Sequence, residues 1–108
     1  MEMTLKEMFE TLKVSRRAVQ GYENAGLVSA SGKNRYGYLM YDAYSQERIR
    51  QIKLFQQLGF TIKEIKEIID APNDVLKEVL CDRVEKLKEN RGHIDVLICR
   101  VYELIETL

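Results

Sequence analysis

Arg16 and Arg17 stand side by side at the start of a segment, Ser15 to Leu27, that reads Ser-Arg-Arg-Ala-Val-Gln-Gly-Tyr-Glu-Asn-Ala-Gly-Leu. A guanidinium presents forked N–H donors that match phosphate oxygens and the O6/N7 edge of guanine, so two arginines on one short helix suit contact with duplex DNA. Ala18, Val19 and Tyr22 fall at helical spacing on an inward face, which leaves Arg16, Arg17, Gln20 and Gly21 outward. Reading and bracing faces are therefore separable. The ordinary fate of surface arginines is plain solvation. Their place at the start of the second of two closely joined helices favours a DNA role, because the first helix can brace the second along a major groove.

Other residues capable of chemistry form no constellation. The chain has no glycine-rich phosphate loop, no nucleophile elbow and no metal motif, and its single histidine, His93, has no evident catalytic partner. No enzyme activity, cofactor or metal is expected. Scattered carboxylates such as Glu64 and Glu67 fit helix capping and a solvated surface. Cys81 and Cys99 lie in a helical region and are expected to be reduced thiols. In an antiparallel helix pair centred near Asn90, Cys81 of one copy would lie level with Cys99 of the other. A thiol or metal-responsive sensor built on them is thus an alternative reading, which their different helical faces and the poor closure of a two-sulfur site disfavour.

The elements that must position the arginines follow from local signals. Thr4 with Glu7 forms a capping box that starts a first helix near Leu5, with Leu5, Met8, Phe9 and Leu12 on one face. A turn of two or three residues leads to Ser15, which caps the second helix, and Gly26 ends it. Ser29 to Asn34 is rich in Ser, Gly and Lys, and Arg35 to Tyr41 is aromatic and apolar, so a small hairpin or wing is expected there. On it Lys33, Arg35, Tyr36 and Tyr38 are candidates for gripping the phosphate backbone. Asp42 or Ser45 caps a third helix striped by Ile49, Ile52, Phe55 and Leu58 and closed by Gly59. Isoleucines of this stretch are read as core rather than as a ligand pocket. Thr61 with Glu64 opens a fourth helix, which the lone proline, Pro72, terminates.

Beyond Asp74, read as a cap, a single long helix carries Leu80, Leu87, Ile94, Val101 and Leu108 on a seven-residue beat, with Val84, Ile98 and Ile105 between. That is a coiled-coil seam, and burial against a second copy would dry it. Arg91 and Gly92 interrupt the beat. The expected division is a DNA-binding domain over residues 1–71 and a dimerisation helix over 72–108.

Size and charge fit this outline. The chain has 108 residues, 45% of them hydrophobic and 31% charged, which leaves room for one modest soluble domain. Neither a membrane-spanning run nor a signal-peptide pattern is present, so a cytoplasmic location and no membrane partner are expected. Formal net charge is zero, yet Lys13 to Tyr41 holds five basic residues against Glu23 alone, whereas Ala71 to Leu108 holds six basic and eight acidic. Positive charge is concentrated where DNA would lie.

Val-Ser-Arg-Arg at 14–17, Tyr-Glu-Asn-Ala-Gly-Leu at 22–27, Gly-Tyr at 37–38, Tyr-Asp at 41–42 and Leu-Gly-Phe-Thr-Ile-Lys-Glu-Ile at 58–65 occur in an order that resembles the MerR family of bacterial transcription regulators. The resemblance covers about two-thirds of the chain and is to a short member without an evident effector domain. It implies a mainly α fold: a winged helix-turn-helix domain with a β-hairpin wing, followed by an antiparallel coiled-coil dimerisation helix. It also implies a homodimer on a pseudo-palindromic promoter operator, acting by DNA distortion, with RNA polymerase as a further partner. Carried over by position, Ser15, Arg16, Arg17, Gln20, Gly21 and Tyr22 would form the reading helix, with Tyr22 at its DNA side. Two departures stand out. The family usually has Arg-Tyr-Tyr where this chain has Gln20-Gly21-Tyr22, and Gly-Tyr-Arg where it has Gly37-Tyr38-Leu39. Gly21 costs roughly 1 kcal/mol of helix propensity relative to Ala, for which close approach to DNA is one reason. Lys13 replaces a turn glycine. The remaining alternative, of another class, is a coiled-coil adaptor in which the paired helices serve only packing.

Overall fold

Capping residues set most of the element boundaries. In the computed structural model, which describes residues 1–108, Thr4 and Glu7 form the reciprocal capping box of α1 (Leu5–Leu12). The Ser15 hydroxyl accepts from the Ala18 amide at 3.1 Å to start α2 (Arg16–Asn24). Asp42 accepts from the Ser45 amide at 2.9 Å to start α3 (Ala43–Gln57), and Thr61 with Glu64 forms the second capping box at α4 (Ile62–Ile68). Each such cap satisfies amides that the first turn of a helix leaves free.

A three-stranded antiparallel sheet holds the wing. β2 (Gly32–Lys33) and β1 (Met3–Thr4) flank β3 (Leu39–Tyr41), with Met40 opposite Gly32 on one side and Thr4 on the other. The expected hairpin is present, and β1 adds a strand ahead of α1 that the local sequence does not announce. Gln46 ties this sheet to α3, its carboxamide nitrogen donating to the carbonyls of Met1 and Tyr41. Its burial is therefore satisfied.

The chain divides into two units, Met1–Asp70 and Ala71–Leu108. In the first, Met8, Val19, Tyr41, Ile49, Ile52 and Ile65 are almost completely buried, one or more from each of α1 to α4 and from β3. Phe9 departs from expectation: it is 57% exposed, because Met8 takes the inward position of α1 and Leu5 and Leu12 are only partly covered. The Arg48 side chain, extending from α3, donates to the Leu27 carbonyl at 3.0 Å and makes a two-pronged ion pair with Asp70 at 2.7 and 2.8 Å. One planar guanidinium thus secures both the chain after α2 and the end of the first unit.

The second unit is one unbroken helix, α5 (Asn73–Thr107), about 52 Å long at 1.5 Å per residue. Its cap is Pro72 rather than Asp74, and no side chain caps it. Proline's fixed φ already suits a helix entry, so Asp74 falls in the first turn, where its charge favours the positive end of the helix dipole. Arg91 and Gly92 lie within the helix without breaking it. No helix of the chain is long and apolar enough to cross a membrane.

Candidate nucleic-acid interface

The geometry of α2 begins with the turn before it. Lys13 ends α1 in the left-handed region, φ 60° and ψ 37°, which lets the chain reverse within three residues. Such a backbone is costly for a side-chain-bearing residue. Two hydrogen bonds hold it: Lys53 of α3 donates to the carbonyls of Leu12 and Lys13 at 2.9 and 3.1 Å. A cation at the C-terminus of α1 also opposes the negative end of that helix.

Two tyrosines fix α2 from below. Tyr22 is 3% exposed, and its hydroxyl donates to the Gln56 side chain 2.7 Å away on α3. The placement of Tyr22 at the DNA side is therefore corrected: it lies on the inward face with Val19, and burial pushes its phenol above the usual range, keeping the donor protonated. The second tyrosine, Tyr41 of β3, donates to the Glu23 carboxylate. Through it the wing's inner strand and the helix are joined.

With the inward face so occupied, Ser15, Arg16, Arg17, Gln20, Gly21 and Asn24 remain exposed. Arg16, Arg17, Gln20 and Asn24 have no hydrogen-bond or ion-pair partner within the chain, so their donors are free for an external ligand. Asn24 lies seven residues after Arg17 on this face and was not among the residues singled out from the sequence. The same i, i+3, i+4, i+7 spacing that identifies an apolar stripe would have found it.

The wing is built around Asn34. Its side-chain oxygen accepts from the amides of Tyr36 and Tyr38 at 2.9 and 3.0 Å, its carbonyl accepts from Gly37 at 3.0 Å, and Gly37 takes φ 82° to close the turn. That positive φ suits glycine. Tyr36 and Tyr38 are exposed, and the Arg35 guanidinium stacks over the Tyr36 ring at 4.9 Å. Lys33 is exposed on β2. All four wing residues expected to reach phosphate are thus at the surface.

Between α2 and the wing lies an open cleft of 830 Å³ whose walls include Lys6, Phe9, Ser15, Arg16, Tyr38 and Leu39. Lys6 adds a cation to this concavity that the sequence did not single out, since a lone lysine on an amphipathic helix carries no distinguishing signal. Exposed Phe9 finds its place here as an apolar wall. Two cations, Lys6 and Arg16, together with the Phe9 and Tyr38 rings suit a sugar-phosphate chain, whose contacts are charged at the phosphates and apolar at the sugars.

On α5, Val84, Leu87, Ile94, Ile98, Val101 and Ile105 are exposed and Leu80 is half-buried, and Leu108, which caps the helix, is exposed too. Cys81 and Cys99 are free thiols at the surface of the same helix.

Comparison with known proteins places this geometry among others. Residues 3–72 match the MerR HTH family regulatory protein family, and residues 46–108 match the MerR DNA-binding family. The HTH-type transcriptional activator mta of Bacillus subtilis is 34% identical over 98 residues, covering 91% of this chain; the chain spans 38% of that activator's length. The crystal structure of MtaN, the N-terminus of the Bacillus subtilis multidrug transporter activator, superposes with a TM-score of 0.74 at 31% identity, over 95% of this chain and 97% of that one. HiNmlR, a MerR-family regulator lacking the sensor domain and bound to promoter DNA, shares the fold at 16% identity, with a TM-score of 0.73 over 91% of this chain and 79% of that one.

Proposed function

The chain belongs to the MerR family, which comprises transcriptional regulators rather than enzymes, and from that premise we propose that it binds promoter DNA as a homodimer. Regulators of this family bind DNA and act as dimers. One observation carries the reading for this chain: α2 presents Arg16, Arg17 and Gln20 without internal partners on a helix anchored from beneath by Tyr22 and Glu23. Free guanidinium donors on a rigid short helix are what a major groove requires, since orientation lost to flexibility is affinity lost.

In this reading residues 1–71 form the DNA-binding domain and 72–108 the dimerisation helix. Ser15, Arg16, Arg17, Gln20 and Gly21 face the major groove. Lys33, Arg35, Tyr36 and Tyr38 grip flanking backbone. Leu80, Val84, Leu87, Ile94, Ile98, Val101, Ile105 and Leu108 pair with a second, antiparallel copy. Each fully buried Leu or Ile contributes roughly 1.5–3 kcal/mol, so eight seam positions per chain exceed the cost of association. The operator is pseudo-palindromic, mirroring the twofold axis of the dimer, and regulation proceeds by distorting promoter DNA for RNA polymerase in the cytoplasm.

Selection of bound duplexes from promoter fragments of the source genome, followed by footprinting, tests this. The expected result is one protected site with two related halves, their centres separated by whole helical turns of about 34 Å. A chain that enriches no fragment even at low salt would overturn the reading.

A further inference from the structure

Gly21 is an expense that nothing inside the chain recovers. A glycine within a helix is less favourable than alanine, because its backbone has more freedom to lose. Its usual justifications are a left-handed backbone or a neighbour too close for a Cβ. Neither applies: the positive-φ glycines are Gly26, Gly37 and Gly59, and a Cβ built on Gly21 meets nothing within 4 Å. The reason for it therefore lies outside the chain.

The residues around it say what that partner presents. Arg17, Gln20, Gly21 and Asn24 follow the i, i+3, i+4, i+7 spacing of one helix face, all exposed, with Gln20 and Asn24 on either side of the bare position. Neither carboxamide is engaged within the chain. A carboxamide offers one donor and one acceptor side by side, the pattern that adenine shows in the major groove through N7 and N6, and that no phosphate shows. Asparagine is short. Its carboxamide reaches a base edge only if the helix lies deep, and a helix about 10–12 Å across with its side chains nearly fills a groove about 12 Å wide. Removing the side chain at the innermost point supplies the missing depth.

Resting on the DNA-binding reading above, we propose that α2 reads adenine in each half-site through Gln20 and Asn24, with Gly21 as the point of closest approach to the bases. Arg17 supplies the adjoining guanine or phosphate contact.

The experiment is selection from a random duplex library with the full chain and with Gly21→Ala, Gln20→Ala and Asn24→Ala, alongside thermal melts of each protein. The wild type is expected to enrich a motif with adenine at defined half-site positions. Gln20→Ala and Asn24→Ala should each lose about tenfold or more of the preference at one such position, the discrimination of a good bidentate pair. Gly21→Ala should melt a few degrees higher than wild type, yet its ratio of specific to non-specific affinity should fall about tenfold, a methyl group now standing where the groove floor comes nearest. Enrichment by the wild type together with an unchanged ratio for Gly21→Ala, or adenine preferences that survive both carboxamide deletions, overturns this inference and leaves the DNA-binding reading standing. If the wild type enriches no duplex, both fall.

Discussion

The Tyr41 hydroxyl donates to the Glu23 carboxylate, so β3 and α2 are joined by one side-chain hydrogen bond. Tyr41 is fully buried, and burial, reinforced by the Glu23 carboxylate, pushes its phenol far above the usual range. α2 and β3 are thus tied through a buried side chain.

Replacing Tyr41 by Phe keeps the ring and deletes the bond. A hydrogen bond to a charged group contributes about 1.5–3 kcal/mol, and urea unfolding of Tyr41→Phe should show a loss of that order. The pH dependence follows from the direction of the shift. A phenol whose folded pKa is raised contributes its stability in full below the unfolded value, near 10, and loses it as pH rises from there toward the folded value, because the unfolded chain releases the proton first. The stability gap between wild type and Tyr41→Phe should be constant at neutral pH and close above about pH 10. A gap that widens on the alkaline side would contradict the assignment.

Lys13 adopts the left-handed conformation that suits glycine. Lys13→Gly relieves that strain, and because its carbonyl still accepts from Lys53, the turn is retained. Thermal unfolding should show a gain of up to about 1 kcal/mol, the relief being partly offset by the greater freedom of glycine in the unfolded chain. A loss of stability would mean that the lysine side chain itself holds the turn.

Much of this architecture was legible because its signals are local. The pairs Thr4 with Glu7 and Thr61 with Glu64 announce helix starts through contacts only three residues apart, and Ser15 and Asp42 do the same alone. What escaped depends on distant partners. β1 exists because β3 lies beside it, not because Met3 and Thr4 favour extended chain. The Lys53 ammonium reaches carbonyls 40 and 41 residues away, and Tyr22 proves to be an anchor because Gln56, 34 residues on, meets its hydroxyl. Periodicity puts Met8 and Phe9 on one inward face, but only Met8 is buried, and the exposed Phe9 ring instead walls the cleft beside Arg16. Pro72 displaced Asp74 as the cap of α5 because a prolyl φ of −56° already meets the geometry of helix entry.

Leu87 is 43% exposed on α5 and is one of the positions proposed to pair with a second copy. Leu87→Asp would place a carboxylate in a pairing surface without a cation opposite it, and sedimentation should show a dimer becoming a monomer, together with loss of affinity for a two-half-site operator. The first unit should unfold as before. A dimer that survives this change would refute the seam.

The most direct test of the whole account is the affinity of the purified chain for its selected operator, measured across a salt series beside the double variant Arg16→Ala/Arg17→Ala. The wild type should lose affinity linearly in log salt, with a slope of about −0.9 for each phosphate neutralised. The variant should keep its dimer mass, bind at least about tenfold more weakly, and show a shallower slope wherever an arginine meets phosphate rather than base. Equal affinity and equal slope for the two proteins would contradict the assignment of α2 as the DNA-reading helix.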